Sequence, residues 1–187
     1  HSRLTRAKAS GGDDCSRCVV YVNAAGGSDG NDGASWATAL ATVPQGLLAA
    51  TAGGCEVWVA AGVYYPIDGY DRYATIGLVT GVDLYGGFAG GEIRRDQRDV
   101  QGNLTVLSGN VGARDSEWDN SLHVVTGANG ATIDGFTITG GVGEDGGGVY
   151  VGSTTAVLSE LRVVGNVAER GGGIYVDGGA PTLSQLI

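Results

Sequence analysis

The chain has 187 residues, 42% hydrophobic and 17% charged, which is enough apolar material for one domain with a core and excludes wholesale disorder. A net charge of −9 with Lys8 as the sole lysine argues against a nucleic-acid partner, because a polyanion needs clustered Lys and Arg. The 36 glycines follow no G-X-Y period and only 3 prolines accompany them, so collagen is excluded and many short strands with tight turns are expected.

Residues 1–14 (HSRLTRAKASGGDD) are polar and aperiodic and read as a flexible tail ahead of a single domain over 15–187. The chain opens on His1 and contains no Met, as expected of a processed mature chain or a defined fragment. Cys15 and Cys18 form a CxxC, but with Cys55 and two distant histidines they make a poor zinc set, and the motif runs into a strand rather than a helix. An oxidising compartment with one disulfide is the better reading. Cys18–Cys55 is the first choice and Cys15–Cys55 the second, with the odd thiol free or paired between chains.

CVVYVN reads as a strand, followed by a turn-rich surface loop, GGSDGNDGASW. Within it, Asp29, Asn31 and Asp32 are spaced like oxygen ligands for Ca2+, although the further acidic ligand of an EF-hand loop is missing. Asx-turns leading towards a helix are the competing reading. That helix spans about 42–51. Thr42 and Gln45 form a capping box, Pro44 falls in the first turn, and Gly53 supplies a stop. At about two turns, it must owe its stability to packing.

EVWVAAGVYYP follows, with Val57 and Val59 alternating with Glu56 and Trp58. Tyr64, Tyr65, Tyr70 and Tyr73 cluster around a protruding loop, PIDGYDR, and offer faces that could stack on sugar rings as well as packing surface. Arg94, Arg95 and Arg98 alternate with Asp96 and Asp99, as in a solvated loop with internal ion pairs. From TIGLV onwards the chain is a succession of short strands broken by Gly, and no apolar run approaches the roughly 18 to 20 residues that cross a membrane. Asp115, Glu117 and Asp119 alternate in ARDSEWDN, a second weak Ca2+ candidate in an exposed loop. His123 has no G-x-S-x-G partner, so a catalytic triad is not expected.

GGGVYV at Gly146–Val151 recurs as GGGIYV at Gly171–Val176, a period of 25 residues. Val142 falls on Val167, Glu144 on Glu169, Tyr150 on Tyr175 and Leu158 on Leu183. Phe136, Leu161 and Leu186 share one phase, and Val124, Val149 and Ile174 another. A coil of this length with three short strands is one turn of a parallel β-helix. In-phase side chains then stack about 4.8 Å apart into apolar columns, and the glycines mark a corner that uses φ > 0.

These motifs, with DQRD, TVLSGNVG, DNSLHVVTG and ATIDGFTITGG, resemble the N-terminal part of bacterial surface proteins with a right-handed parallel β-helix, the pectin-lyase-like fold. Many of these carry polymorphic outer-membrane-protein-type repeats. The resemblance covers about residues 18–187 and implies a secreted or cell-surface location, with the helix capping the N-terminal end of the column. Coils in such proteins normally continue past the point where Leu183, Leu186 and Ile187 stand. Those residues are therefore expected either to be followed by further coils or to form an assembly end. Enzymes of this fold pair a Ca2+-binding acidic cluster with an Arg or Lys base. Here Asp134, Arg162 and the Glu144/Glu169 corner, with Asp145 and Arg170 beside it, give no matched set. The expected function is a non-catalytic extracellular structural or adhesive β-helix, self-associating end to end into filaments as a homo-oligomer. The alternative is a carbohydrate-binding or polysaccharide-cleaving module. No cofactor is required, with Ca2+ the one candidate.

Overall fold

A computed structural model describes residues 18–66, 69–113 and 116–187. The tail over 1–14, Cys15 and Asp115 lie outside the described residues. The elements run β1 (Val19–Val22), α1 (Val43–Thr51), β2 (Glu56–Ala60), β3 (Gly62–Tyr64), β4 (Ile76–Gly77), β5 (Asp83–Phe88), β6 (Thr105–Ser108), β7 (Val125–Thr126) and β8 (Thr132–Asp134). They continue with β9 (Thr137–Thr139), β10 (Val142–Asp145), β11 (Val149–Val151), β12 (Val157–Ser159), β13 (Arg162–Val163), β14 (Val167–Arg170), β15 (Ile174–Val176) and β16 (Thr182–Ser184). The strands form four parallel ladders, in the orders β1-β2-β5-β8-β12-β16, β3-β6-β9-β13, β4-β7-β11-β15 and β10-β14. The chain visits the first three in rotation, and each strand pairs with its counterpart in the next repeat.

Register is what builds the core. Val20, Val57, Leu84, Ile133, Leu158 and Leu183 stand in one column. Tyr64, Leu107, Ile138 and Val163 form a second, and Ile76, Val125, Val149 and Ile174 a third. All but the last member of each column are buried, so each repeat closes the inner face of the one before it. The 25-residue period holds for β8 to β12 and β12 to β16, but Val149 pairs with Val125 rather than Val124. The step from Val125 to Thr132 is one residue shorter than the equivalent step from Val149 to Val157, and this shifts the phase by one. The expected three-strand coil is also too simple for the last two repeats. There the Glu144 and Glu169 segments pair as β10 and β14, and Asp145 bonds Arg170 at 2.6 Å. The first glycine of each GGG, Gly146 and Gly171, sits at φ 57, the left-handed corner that the duplication required.

The N-terminal end is closed. The Thr42 side chain accepts from Gln45 N at 3.3 Å and starts α1, which buries Val43, Leu47 and Ala50 over the first repeat. The outer edge of β1 is occupied by backbone bonds from Tyr21 N to Gly33 O and from Asn23 N to Leu40 O. A Cys18–Cys55 disulfide ties β1 to β2, with Cα atoms 4.6 Å apart. A second apolar cluster lies outside the six-stranded ladder. Trp58 stacks on Phe88 at 4.7 Å, and Tyr21 and Trp36 complete the group. Two bonds aim this cluster, Trp58 Nε1 donating to Glu56 and Trp36 Nε1 to the Glu92 carbonyl.

Candidate functional site

A groove among the described residues lies where the six-stranded ladder turns into the β3-β6-β9-β13 ladder. Val100, Gln101 and Leu104 form one wall. The floor rises from Gly135–Thr137 through Glu160–Arg162 to Gln185 and Ile187, enclosing about 620 Å³. Gly135, Glu160 and Gln185 occupy equivalent positions in three repeats, with φ of 81, 48 and 51. The corner therefore holds a left-handed residue in each of these three repeats. Glycine takes that conformation without strain, and the two longer residues do not. Gly135 has a second reason to lack a Cβ, because one built there would lie 2.8 Å from Arg98 Nη1.

Arg98 organises the polar side of this corner. Its Nη1 donates to the Gly86 carbonyl, and its Nη2 pairs with Asp134 and, at 3.4 Å, with Glu160. Arg95 lies over the Tyr85 ring at 4.4 Å and pairs with Glu56 at 2.7 Å. Burial, reinforced by Asp83, pushes the Tyr85 phenol up to about 12. The expectation of ion pairs internal to the Arg-rich loop holds for Arg94–Asp96 but fails for Arg95 and Arg98, which reach across to the ladder. Period and composition could not reveal this, because the partners lie 39 and 36 residues away. Asp134 is thus committed to Arg98, while Arg162 stands exposed in register with Thr137. The two candidates for lyase chemistry are not brought together as a free acid and base.

No protein-family model, curated protein or solved structure matches this chain.

The four tyrosines do not form one platform. Tyr64 is a core residue whose hydroxyl accepts from Ala24 N at 3.1 Å and donates to the Ala60 carbonyl at 2.9 Å. Burial pushes its phenol up to about 12, and it has no face to offer a ligand. Tyr65 is half-buried, whereas Tyr70 and Tyr73 are 74% and 78% exposed. The loop carrying them lies against the β6–β7 loop, with Gly112 N donating to Gly69 O and Leu122 N to Arg72 O. That second loop carries Trp118, 87% exposed, which sequence reading passed over because nothing in the strand pattern marks a lone Trp as outward.

Asp29, Asn31 and Asp32 are all engaged by backbone. Asp29 Oδ1 accepts from Ala41 N and Thr42 N, and its Oδ2 from the Thr42 hydroxyl. Asn31 donates to the Ala39 carbonyl. Asp32 accepts from Ala34 N, and this backbone bond leads in holding its carboxyl below the usual range. The loop behaves as the Asx-turn reading expects, with Asp29 clamping the start of α1. Among the described residues no three His, Cys, Asp or Glu side chains converge as a metal site.

At the far end, Leu183 is 45% exposed and Ile187 is open to solvent, while Leu186 packs partly against the core. His123, Tyr150 and Tyr175 stack along the outside of the β4-β7-β11-β15 ladder at 5.0 and 5.9 Å, with Arg170 over the last ring. No described helix is long and apolar enough to cross a membrane.

Proposed function

We propose that the chain is a non-catalytic structural or adhesive module of an extracellular surface, built as a right-handed parallel β-helix of the kind its sequence resembles. The observation that carries this reading is the column Val20–Val57–Leu84–Ile133–Leu158–Leu183, buried along its length and open at Leu183. A half-open column with free strand edges is a surface for another coil. The disulfide fits an oxidising compartment. Both carboxylates nearest the groove, Asp134 and Glu160, are shared by Arg98, and this supports a role other than acid–base chemistry.

That surface suits a further coil, whether it continues this chain or belongs to a second copy, and the joint with a second copy can be tested on this chain. The joint is not strand on strand at both faces, because α1 and the Gly33–Leu40 segment cover the first repeat. A head-to-tail contact instead seats Leu183 and Ile187 on the exposed Leu48 of α1. Electron microscopy with light scattering tests this. Filaments with an axial repeat near one subunit length are expected, and monomers at high concentration would overturn the self-association.

The exposed Tyr70, Tyr73 and Trp118 on adjoining loops favour a second reading, a module that binds neutral glycans by ring stacking. Glycan-array binding that is lost on Tyr70→Ala with Tyr73→Ala is its test.

A further inference from the structure

Among the described residues β10 and β14 pair only with each other, and the face they share is charged on one side only. Val142 stands opposite Val167 and Asp145 opposite Arg170, which sets Glu144 opposite Glu169 between them. Side chains alternate along a strand, so the two valines and the two glutamates share one face. That face is open, with Val167 55% exposed and both glutamates exposed. Like charges directly opposite each other in a ladder are unfavourable unless a counter-charge answers them. The two arginines nearby are engaged elsewhere. Arg170 bonds Asp145 at 2.6 Å, and Arg72 donates Nη2 to the Val142 carbonyl. Among the described residues no ion pair reaches either glutamate.

The complement lies in the chain's own first residues. Residues 1–17 hold Arg3, Arg6, Lys8 and Arg17 against Asp13 and Asp14, whereas residues 18–187 hold 7 basic groups against 18 acidic ones. In an extended segment Leu4, Arg6 and Lys8 fall on one side, an apolar residue followed by two cations. We propose that this segment docks on the β10–β14 face of its own chain, with Leu4 over Val142 and Val167 and the Arg6 and Lys8 charges over Glu144 and Glu169. The tether is long enough. Ten residues from Lys8 to Cys18 span up to about 33 Å. The climb is shorter, since β12, in the same repeat as β14, stands four strand spacings from β1, about 19 Å. A short tether also favours the chain's own face over that of a second copy, because it holds the segment at an effective concentration of about 1 mM. Exposed ion pairs are weak and screened by salt, so the contact is a reversible strap. The inference stands apart from the assembly reading, since it uses neither Leu183 nor α1.

Trypsin, which cleaves after Arg and Lys, tests this on the full chain, with a free synthetic peptide of residues 1–12 as the undocked reference. At about 10 mM salt, where exposed charges act over about 30 Å, cleavage after Arg6 and Lys8 is expected to be several-fold slower in the chain than in the peptide. At about 1 M salt, where that range falls to about 3 Å, the two rates should converge. Glu144→Gln with Glu169→Gln should remove the protection at low salt. Asp32→Asn with Asp96→Asn, an equal loss of charge elsewhere, should keep it. Equal rates for chain and peptide at low salt would overturn the proposal, and so would protection that salt leaves unchanged. Protection that survives the double glutamate change would overturn it too, provided the variant's far-UV circular dichroism matches the parent. If that variant does not fold, the salt dependence of the parent decides. Protection that appears only as the protein concentration is raised would put the segment on a second copy and overturn docking within one chain.

Discussion

The two ends of the stack are built from the same column of side chains and differ in what lies over them. Over Val20 and Val22 sit α1, the Leu40 segment and the Cys18–Cys55 bond, and the column there is buried. Over Leu158 sits a single further repeat, and that repeat's own Leu183 is 45% exposed. Ile174 and Val163 are likewise only partly buried, although Val149 and Ile138 beneath them in register are fully buried. The difference shows that burial in this architecture is a property of position in the stack. Two leucines in matching strands of adjacent repeats have different surroundings because one has a neighbour on both sides and the other on one.

The sharpest probe is that matched pair. Leu158→Ala removes a fully buried side chain and should cost about 2–5 kcal/mol, whereas Leu183→Ala should cost less than about 1 kcal/mol. Urea denaturation of the two variants measures both. Equal losses would break the comparison, because they would mean that Leu183 is covered in solution. The closed end can be loosened next. Replacing both Cys18 and Cys55 by Ser releases a cross-link between residues 37 apart in sequence and should cost about 2–4 kcal/mol in the same assay. No change would mean that α1 and the Leu40 segment close this end unaided.

The smallest effect concerns Glu92, whose carbonyl accepts from Trp36 beside the closed end. Burial opposes its ionisation, but bonds from Ala89, Gly90 and Gly91 N–H outweigh that and hold its carboxyl below the usual range. A depressed folded value contributes stability above the ordinary carboxylate pKa, which is lost as the pH falls through the folded value. Glu92→Gln should therefore flatten the decline in stability below about pH 4, where free glutamate titrates. An unchanged acid limb would show that Glu92 carries none of it.

The repeat was legible where nothing interrupts it. Over Phe136–Gln185 the 25-residue period gave the strand positions, the glycine corners and the inward leucines. It was illegible upstream, where the insertions after Tyr64, Phe88 and Ser108 stretch the spacing between paired strands to 49 residues for Asp83–Thr132 and Ile76–Val125. The helix was readable because Thr42, Pro44 and Gln45 signal locally. The clamp on it was not, because Asp29 looks the same whether it meets backbone N–H or a cation. Tyr64 was misplaced for a related reason. In YYP its neighbours are a loop, yet its register with Leu107 turns it inward. Residue type announced the aromatic cluster around Trp58 and Phe88 no better, since its members come from four separate segments.

Every described strand pair joins a repeat only to the one before or after it. The molecule can therefore be treated as a ruler, with one graduation per repeat and each about 4.8 Å apart. Excising one whole repeat between equivalent points, such as Ile133 and Leu158, would carry each column across the cut without changing which side chains face inward. The length of the stack is then a quantity that gene duplication can adjust in fixed steps, while the helix-covered end and the side loops travel along unchanged.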